Sequence, residues 1–345
     1  MRARLSELGW DHDLVVEPVG EPPVPTGDEI VVEVEACGVC GRDCIDRAGR
    51  FGFVQVPITP GHEAVGWVVA AGPDVTEWSV GQRVASMHRE GCGTCESCVA
   101  GETSLCGSGA AVLGLLIDGG YARWLAAPQG CFYAIPDHME PALAAVFHCT
   151  LGTAWRGLTR AGVRAGSRVL VTGANGGVGV AALQIASGLG ATTIAVVRRA
   201  EQASAAEAMG ADSVIVDDGS SFHRGLPGGP VDIAMDCVGA PTLNASLRSL
   251  VVGGRLVAVG NITGERIELN IGYVITFGLQ ITGSSGATRA DMAGLLAHHV
   301  RRPLDVPIHA QLPLSDADHA QRLVAAGGLH GRVVLVPGMP RAQAG

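Results

Sequence analysis

From Ser167 onward the chain repeats one alternation, a short continuous run of β-branched residues followed by an Ala-rich stretch of helical character. RVLVTG leads to VGVAALQIASGLG, TTIAVVR leads to EQASAAEAMG, and SVIVD, VDIAMDC, GGRLVAVG and LQITGSS follow. An apolar run with no polar alternation has no face for solvent, so such strands must be covered on both sides. Helices interposed between them supply that cover only if the strands run parallel. The predicted fold class is therefore α/β, with a doubly wound parallel sheet across residues 151–283.

Residues 1–150 read differently. Runs such as Glu29–Cys37 and Ala64–Gly72 are short and punctuated by Pro and Gly, a pattern that predicts an antiparallel, barrel-like domain. After about Gly283 comes one more helix, Thr288 to Arg301, and then HGRVVLVP, a strand expected to return to the first domain. The expected organisation is one domain from 1–150 with 284–345, and a second over 151–283. A length of 345 residues fits two domains, at roughly 150 residues each.

Composition removes several classes of partner. Charged residues are 17% and apolar residues 47%, ample for two cores and unlike a disordered chain. A net charge of −9 without a basic run argues against nucleic acid or an anionic membrane. No apolar stretch reaches the roughly 18 residues of a membrane span, and the first residues lack a signal-peptide core, so a soluble cytoplasmic protein is expected. All 24 basic residues are Arg, which excludes Schiff-base and P-loop lysine chemistry.

The 10 cysteines are clustered. Cys92, Cys95, Cys98 and Cys106 follow C-x2-C-x2-C-x7-C, which can close a tetrahedral four-sulfur shell with no open position. That is the signature of a structural zinc; an iron–sulfur cluster or cysteines clustered by coincidence are the alternatives. A second set is dispersed: Cys40 in ACGVCGRD, His62 and Glu63 in PGHEAVG, and Cys149 in FHCTLGTAW. Two Cys and one His are a known catalytic zinc set, but spacing alone does not bring these three together.

VLVTGANGGVGVAALQIA is a strand, a glycine turn and a helix. Gly173, Gly176 and Gly179, with Gly177 between them, supply a tight turn and close backbone approaches, and the helix start offers its free N–H groups to a pyrophosphate. The next strand ends in Val197, Arg198 and Arg199, where an NAD enzyme carries a carboxylate for the ribose hydroxyls. Two guanidiniums in its place favour NADP(H) over NAD(H), because Arg can grip a 2′-phosphate; the alternative is a solvated pair at a helix start.

In these motifs, taken in order, the whole chain resembles the medium-chain dehydrogenase/reductase superfamily, in its zinc alcohol dehydrogenase group. The resemblance rests on Cys40 with Asp43, Gly61-His62-Glu63, the four-Cys loop and the turn at Gly173. It implies a GroES-like catalytic domain, a Rossmann cofactor domain and two zinc ions per chain. It assigns Cys40, His62 and Cys149 as catalytic zinc ligands, Glu63 as their acidic neighbour, and Asp43 as the carboxylate that orients His62. It also implies that Val178 backs the nicotinamide, Thr153 contacts it and Arg332 reaches a phosphate, in a homodimer or homotetramer. Cys37, Cys44, Cys131 and Cys237 are left as small buried hydrophobes. Phe51, Phe53, Ile117 and Trp124 are candidates to line a substrate pocket.

One departure bears on the reaction. The group commonly has Ser or Thr two residues after the first ligand, relaying the alcohol proton to a His three residues on. Here Arg42 and Ile45 stand there, and neither passes a proton at neutral pH. Cys-x-Arg-Asp, GNITGERIELNIGYVI and GSSGATRAD are similar instead to archaeal acryloyl-CoA reductases of the same superfamily. The resulting expectation is a zinc-dependent hydride transfer between NADP(H) and a small alcohol or carbonyl compound. The alternatives are reduction of an activated C=C, in which Arg42 stabilises an enolate or holds a phosphate, and a non-catalytic NADPH-binding protein. Arg42 has a plainer role open to it, an ion pair with Asp43 or Asp46.

Overall fold

The computed structural model describes residues 1–50, 52–108, 111–218, 220–261 and 263–340. Met1–Cys149 and the chain from Ile308 onward form one compact unit, and Thr150–Pro307 form a second.

The first unit opens with an antiparallel pair, β1 (Arg2–Arg4) and β2 (Val15–Glu17). Then come β3 (Glu29–Val39), α1 (Gly41–Arg47), β4 (Ala64–Ala71), β5 (Arg83–Ser86), the short α2 (Glu96–Val99), β6 (Trp124–Pro128), β7 (Phe132–Ala134) and α3 (Pro141–Val146). The central strand β3 pairs antiparallel with both β4 and β6, setting Val32 opposite Val68 and Leu125. Those three residues and Ile30, Val34 and Val84 are core residues of the barrel-like sheet. Alternation along each strand makes this possible, since every second residue faces the same side.

The second unit runs α4 (Thr153–Arg160), β8 (Arg168–Thr172), α5 (Gly177–Gly188), β9 (Thr192–Val197), α6 (Ala203–Ala208), β10 (Ser213–Val216), β11 (Val231–Asp236), α7 (Leu243–Arg248), β12 (Leu250–Ala258), α8 (Ile271–Phe277), β13 (Gln280–Gly283) and α9 (Arg289–Arg301). Its six strands lie in the order β10-β9-β8-β11-β12-β13, all parallel. The chain therefore winds outward one way from β8 and then reverses to β11, the Rossmann arrangement. Val169, Leu170 and Val171 of β8 are wholly buried, as an apolar run covered on both faces requires.

The chain then returns to the first unit as β14 (Ile308–Pro313), α10 (Ala317–Ala326) and β15 (Arg332–Val336). β15 pairs antiparallel with β3 and parallel with β14. The late boundary differs from the expected 283/284 position and falls at Pro307. The reason is α9, which buries Met292, Leu295 and His298 within the second unit. Its His298 ring lies 5.3 Å from Trp155, and its Asp291 accepts from Arg156 at 2.5 Å.

Candidate active site and metal centres

Four elements of the first unit deliver one cluster: the end of β3, the loop before β4, β15 and a π-helical turn at Phe147–Gly152 that carries Cys149. Cys40 caps α1; its sulfur accepts from the Arg42 N–H at 3.4 Å, while Asp43 accepts from the Cys40 N–H at 3.0 Å. This reciprocal cap fixes Cys40 and Asp43 as one unit. Asp43 then takes two further donors, the His62 Nδ1–H at 3.0 Å and the Tyr121 hydroxyl at 2.8 Å. With Nδ1 so engaged, His62 turns Nε2 inward, where it is buried and has no hydrogen-bond partner among the described residues. A ring held by a carboxylate on one nitrogen and bare on the other is how metal-bound histidine is oriented.

The sulfurs of Cys40 and Cys149 are 3.8 Å apart. Two thiolates about 2.3 Å from one tetrahedral zinc lie about 3.8 Å from each other, so the spacing fits the ion. Cys40, His62, Glu63 and Cys149 each bring a ligand atom within 4.8 Å of the others. The Cys149 thiol beside it holds Cys40 well below the usual thiol range and is itself pushed well up by the same contact. Cys37 does not belong to that set and lies fully buried in β3.

Glu63 is fully buried and paired with Arg332, whose Nη2 donates to its two oxygens at 2.6 and 2.5 Å. Burial pushes Glu63 up to about 7 against the pull of that guanidinium. Arg332, expected to reach a phosphate, is paired with this carboxylate in the structure, because β15 lies beside β3. Arg332 Nε is buried and has no hydrogen-bond partner among the described residues.

The four-Cys loop is a second cluster, centred on α2. Cys92 and Cys98 sulfurs are 4.0 Å apart and those of Cys95 and Cys106 are 3.9 Å apart, again matching a tetrahedral shell. Backbone N–H groups of Cys95 and Cys92 donate to Cys92 and Cys106 at 3.3 Å each. Such donors, from Thr94 and Cys95, bring Cys92 down to about 5.

In the second unit, the turn after β8 fits a dinucleotide. Gly173 has φ +60°, and a Cβ on Gly179 would meet the Gly173 carbonyl oxygen at 2.3 Å. The backbone of α5 can approach so closely only because these positions carry no side chain. Gly176 caps α5, Gly177 begins it and Val178 is half-buried in its first turn. Thr153 is buried at the start of α4, its carbonyl accepting from Ser284 at 3.0 Å. β9 ends at the buried Val197, and Arg198 and Arg199 follow, exposed.

The sequence of residues 26–137 matches the family model for an alcohol dehydrogenase GroES-like domain, and residues 177–301 match that for a zinc-binding dehydrogenase. An acryloyl-coenzyme A reductase of Metallosphaera sedula is 33% identical over 318 residues, 91% of this chain and 94% of the relative. The chain belongs to the zinc-type medium-chain dehydrogenase/reductase superfamily. It is an oxidoreductase. An alcohol dehydrogenase of Geobacillus stearothermophilus is 31% identical over 340 residues, 97% of this chain and 99% of the relative. Among solved structures, the cobalt- and zinc-bound thermostable alcohol dehydrogenase from Pyrobaculum aerophilum superposes with a TM-score of 0.88 at 30% identity, covering 97% of this chain and 99% of that one.

At the two positions where the group commonly carries a relay, this chain has Arg42 and Ile45. Arg42 Nε donates to Asp46 at 3.1 Å and its Nη1 to His88 Nε2 at 3.2 Å. Of the two carboxylates open to it, Arg42 therefore pairs with Asp46 by the i, i+4 spacing of α1. His88 lies 5.1 Å from His62, ring to ring. Burial, reinforced by His62 and Arg42, keeps His88 well below the ordinary histidine range. Because a guanidinium only donates, His88 Nε2 is the acceptor in its contact with Arg42.

Nothing in sequence spacing singled out His88 or Tyr121. Both come from loops and meet the site only through the fold. Of the pocket candidates, Phe51 lies outside the described residues and Phe53 is exposed. Ile117 packs on the barrel core and the Trp124 indole donates to the Gly20 carbonyl at 3.1 Å. No helix among the described residues is long and apolar enough to cross a membrane.

Proposed function

We propose that this dehydrogenase reduces the conjugated C=C bond of a small enone or enoyl thioester, using NADPH. The observation that carries the reading is Arg42, fixed between Asp46 and His88 where an alcohol-oxidising site needs a hydroxyl relay. A guanidinium cannot take the alcohol proton, whereas conjugate reduction requires no alcohol to be deprotonated. The 33% identity to an acryloyl-coenzyme A reductase supports the same substrate class.

Cys40, His62 and Cys149 would hold the catalytic zinc, and the four-Cys loop a structural one, giving two per chain. When bound, zinc polarises the substrate carbonyl and the nicotinamide supplies the hydride. The chain's own residues do the rest. Asp43 holds His62 in one tautomer, so the ring presents Nε2 alone. Arg332 keeps Glu63 compensated in a buried position beside the ligands, ready to accept a hydrogen bond or a proton. Arg42 places a fixed positive charge at the edge of the cluster, where charge on an enolate oxygen would be stabilised.

The NADP preference rests on the missing carboxylate at Val197 and on the exposed Arg198 and Arg199, of which Arg199 pairs with Glu201 at 2.8 Å. All four residues of β13 are exposed at the edge of the parallel sheet, which suits edge-to-edge pairing into a homodimer or a tetramer of such dimers. Clustered, unpaired thiols suit a reducing cytoplasm.

A second reading, interconversion of a small alcohol and its carbonyl, is favoured by the complete Cys-His-Cys set and the alcohol dehydrogenase relatives. Steady-state rates separate the two. NADPH consumption is measured with acryloyl-coenzyme A and a simple enone, and NADP reduction with simple alcohols. Turnover of the unsaturated compounds is expected; turnover confined to alcohols overturns the proposal.

A further inference from the structure

Asp236 ends β11 with its carboxylate fully buried, and its partners are neutral donors. Oδ1 accepts from the N–H groups of Val238 at 3.1 Å and Gly239 at 2.8 Å. The Thr242 hydroxyl lies 2.9 and 2.7 Å from the two oxygens, and the Ser246 hydroxyl donates to Oδ2 at 2.6 Å. A buried carboxylate without a countercharge is tolerated only where such donors surround it. One side chain thereby fixes both the turn 237–239 and the first turns of α7.

That turn is the middle layer of three. Cys237 N–H donates to Thr172 Oγ1 at 3.2 Å, tying it to the end of β8. A Cβ on Gly173 would meet Val238 Cγ2 at 3.0 Å, and one on Gly260 would meet the Cys237 carbonyl carbon and oxygen at 2.1 Å each. The turns after β8, β11 and β12 are therefore stacked with no slack, at the carboxyl ends of adjacent strands. In a sheet of this order, ligands bind outside those ends at the reversal point. With the pyrophosphate at the turn after β8 and the adenosine ribose near the end of β9, a bound dinucleotide would lay its adenosine portion over β8, β9 and β10, leaving β11, β12 and β13 for the nicotinamide portion.

We propose that Asp236 is a positioning residue for the nicotinamide half of the dinucleotide, holding the turn 237–239 in the one shape that half can use. The proposal rests on the nicotinamide-cofactor reading above. It predicts a split: losing the carboxylate weakens the whole dinucleotide but spares its adenosine fragment. A general loss of fold would weaken both.

The test titrates the zinc-loaded protein with NADPH and NADH by fluorescence, and with 2′,5′-ADP and 5′-ADP by calorimetry. Asp236→Asn is expected to bind the preferred dinucleotide about tenfold more weakly while the matching fragment stays within about twofold, since one charged acceptor is lost on one side only. Thr242→Val removes a single donor to the same carboxylate and is expected to show the same split at about threefold, which keeps the test open if Asp236→Asn folds poorly. Equal loss of dinucleotide and fragment, or no loss of either, overturns the positioning role. A wild-type chain that binds neither dinucleotides nor fragments overturns the cofactor reading itself, an outcome distinct from an unchanged ratio in the variants.

Discussion

Arg332 reaches Glu63 through one nitrogen, Nη2, which lies within 2.6 Å of both carboxylate oxygens, across 269 residues of chain. Both groups are buried, so each depends on the other for compensation. Arg332→Met is therefore expected to cost about 3–5 kcal/mol of stability, because it leaves a buried carboxylate unpaired. Removing both charges in Arg332→Met with Glu63→Gln should recover most of that loss. Chemical denaturation measures it, and a single variant within about 1 kcal/mol of wild type would show that the pair contributes little.

Asp43 joins Cys40, His62 and Tyr121, so it organises His62, the proposed zinc ligand. Asp43→Asn is expected to weaken zinc binding at the Cys40 site about 10- to 100-fold, with Tyr121→Phe smaller in the same direction. Competition with a chromogenic chelator reads this directly. Unchanged affinity in both variants would mean that His62 is oriented by packing alone.

The two candidate metal clusters differ in how far the sequence announces them. The four Cys of the loop lie within 15 residues, and local backbone turns alone bring them together. Cys40 and Cys149 are 109 residues apart, and only the resemblance to known dehydrogenases connected them. The parallel sheet was legible because its strands are apolar on both faces, a property each strand carries by itself. The Arg332–Glu63 pair is not, since it depends on β15 returning beside β3. The compact-unit boundary at Pro307 is hard to read for a related reason: the face of α9 that buries Met292 and Leu295 does not say which unit it packs on.

Cys98→Ser separates the clusters experimentally. Its sulfur belongs to the four-Cys shell, so zinc per chain should fall from about two to about one while the Cys40 site stays loaded. The thermal midpoint should fall as well, because structural zinc contributes folding energy. Cys40→Ser should show the converse, loss of the other ion and of activity. Metal analysis of both proteins checks this, and a Cys98→Ser chain that keeps two zinc ions defeats the assignment.

Acid stability should report on Asp318. Burial alone would raise its carboxyl, but hydrogen bonds from Arg322 and the Leu14 N–H, with Arg47, hold it below the ordinary range. A carboxyl lowered in the folded state adds stability that is fully present above its unfolded value of about 3.9 and is lost as pH falls through the lower folded value. Asp318 also pairs at 2.6 Å with Arg47, which is entirely buried. Asp318→Asn should therefore be markedly less stable than wild type at neutral pH, and the gap should close below about pH 4. Denaturant midpoints measured for both proteins from neutral to acid pH decide it; a gap of constant size across that range would sink the linkage.

Cofactor choice turns on one position. Val197 ends β9, buried, with Arg198 and Arg199 exposed beyond it. An Asp placed there would accept from both adenosine ribose hydroxyls and would repel a 2′-phosphate. Val197→Asp is thus expected to move the ratio of kcat/KM for NADPH over NADH by about tenfold or more toward NADH, about 1.4 kcal/mol in differential binding. Arg198→Ala with Arg199→Ala should lower the NADPH value and leave that for NADH nearly unchanged, because only the phosphate loses its partners. Steady-state kinetics with both cofactors tests the pair. A ratio unmoved by all three substitutions would place the determinant of cofactor choice elsewhere in the second unit and remove the argument for NADP.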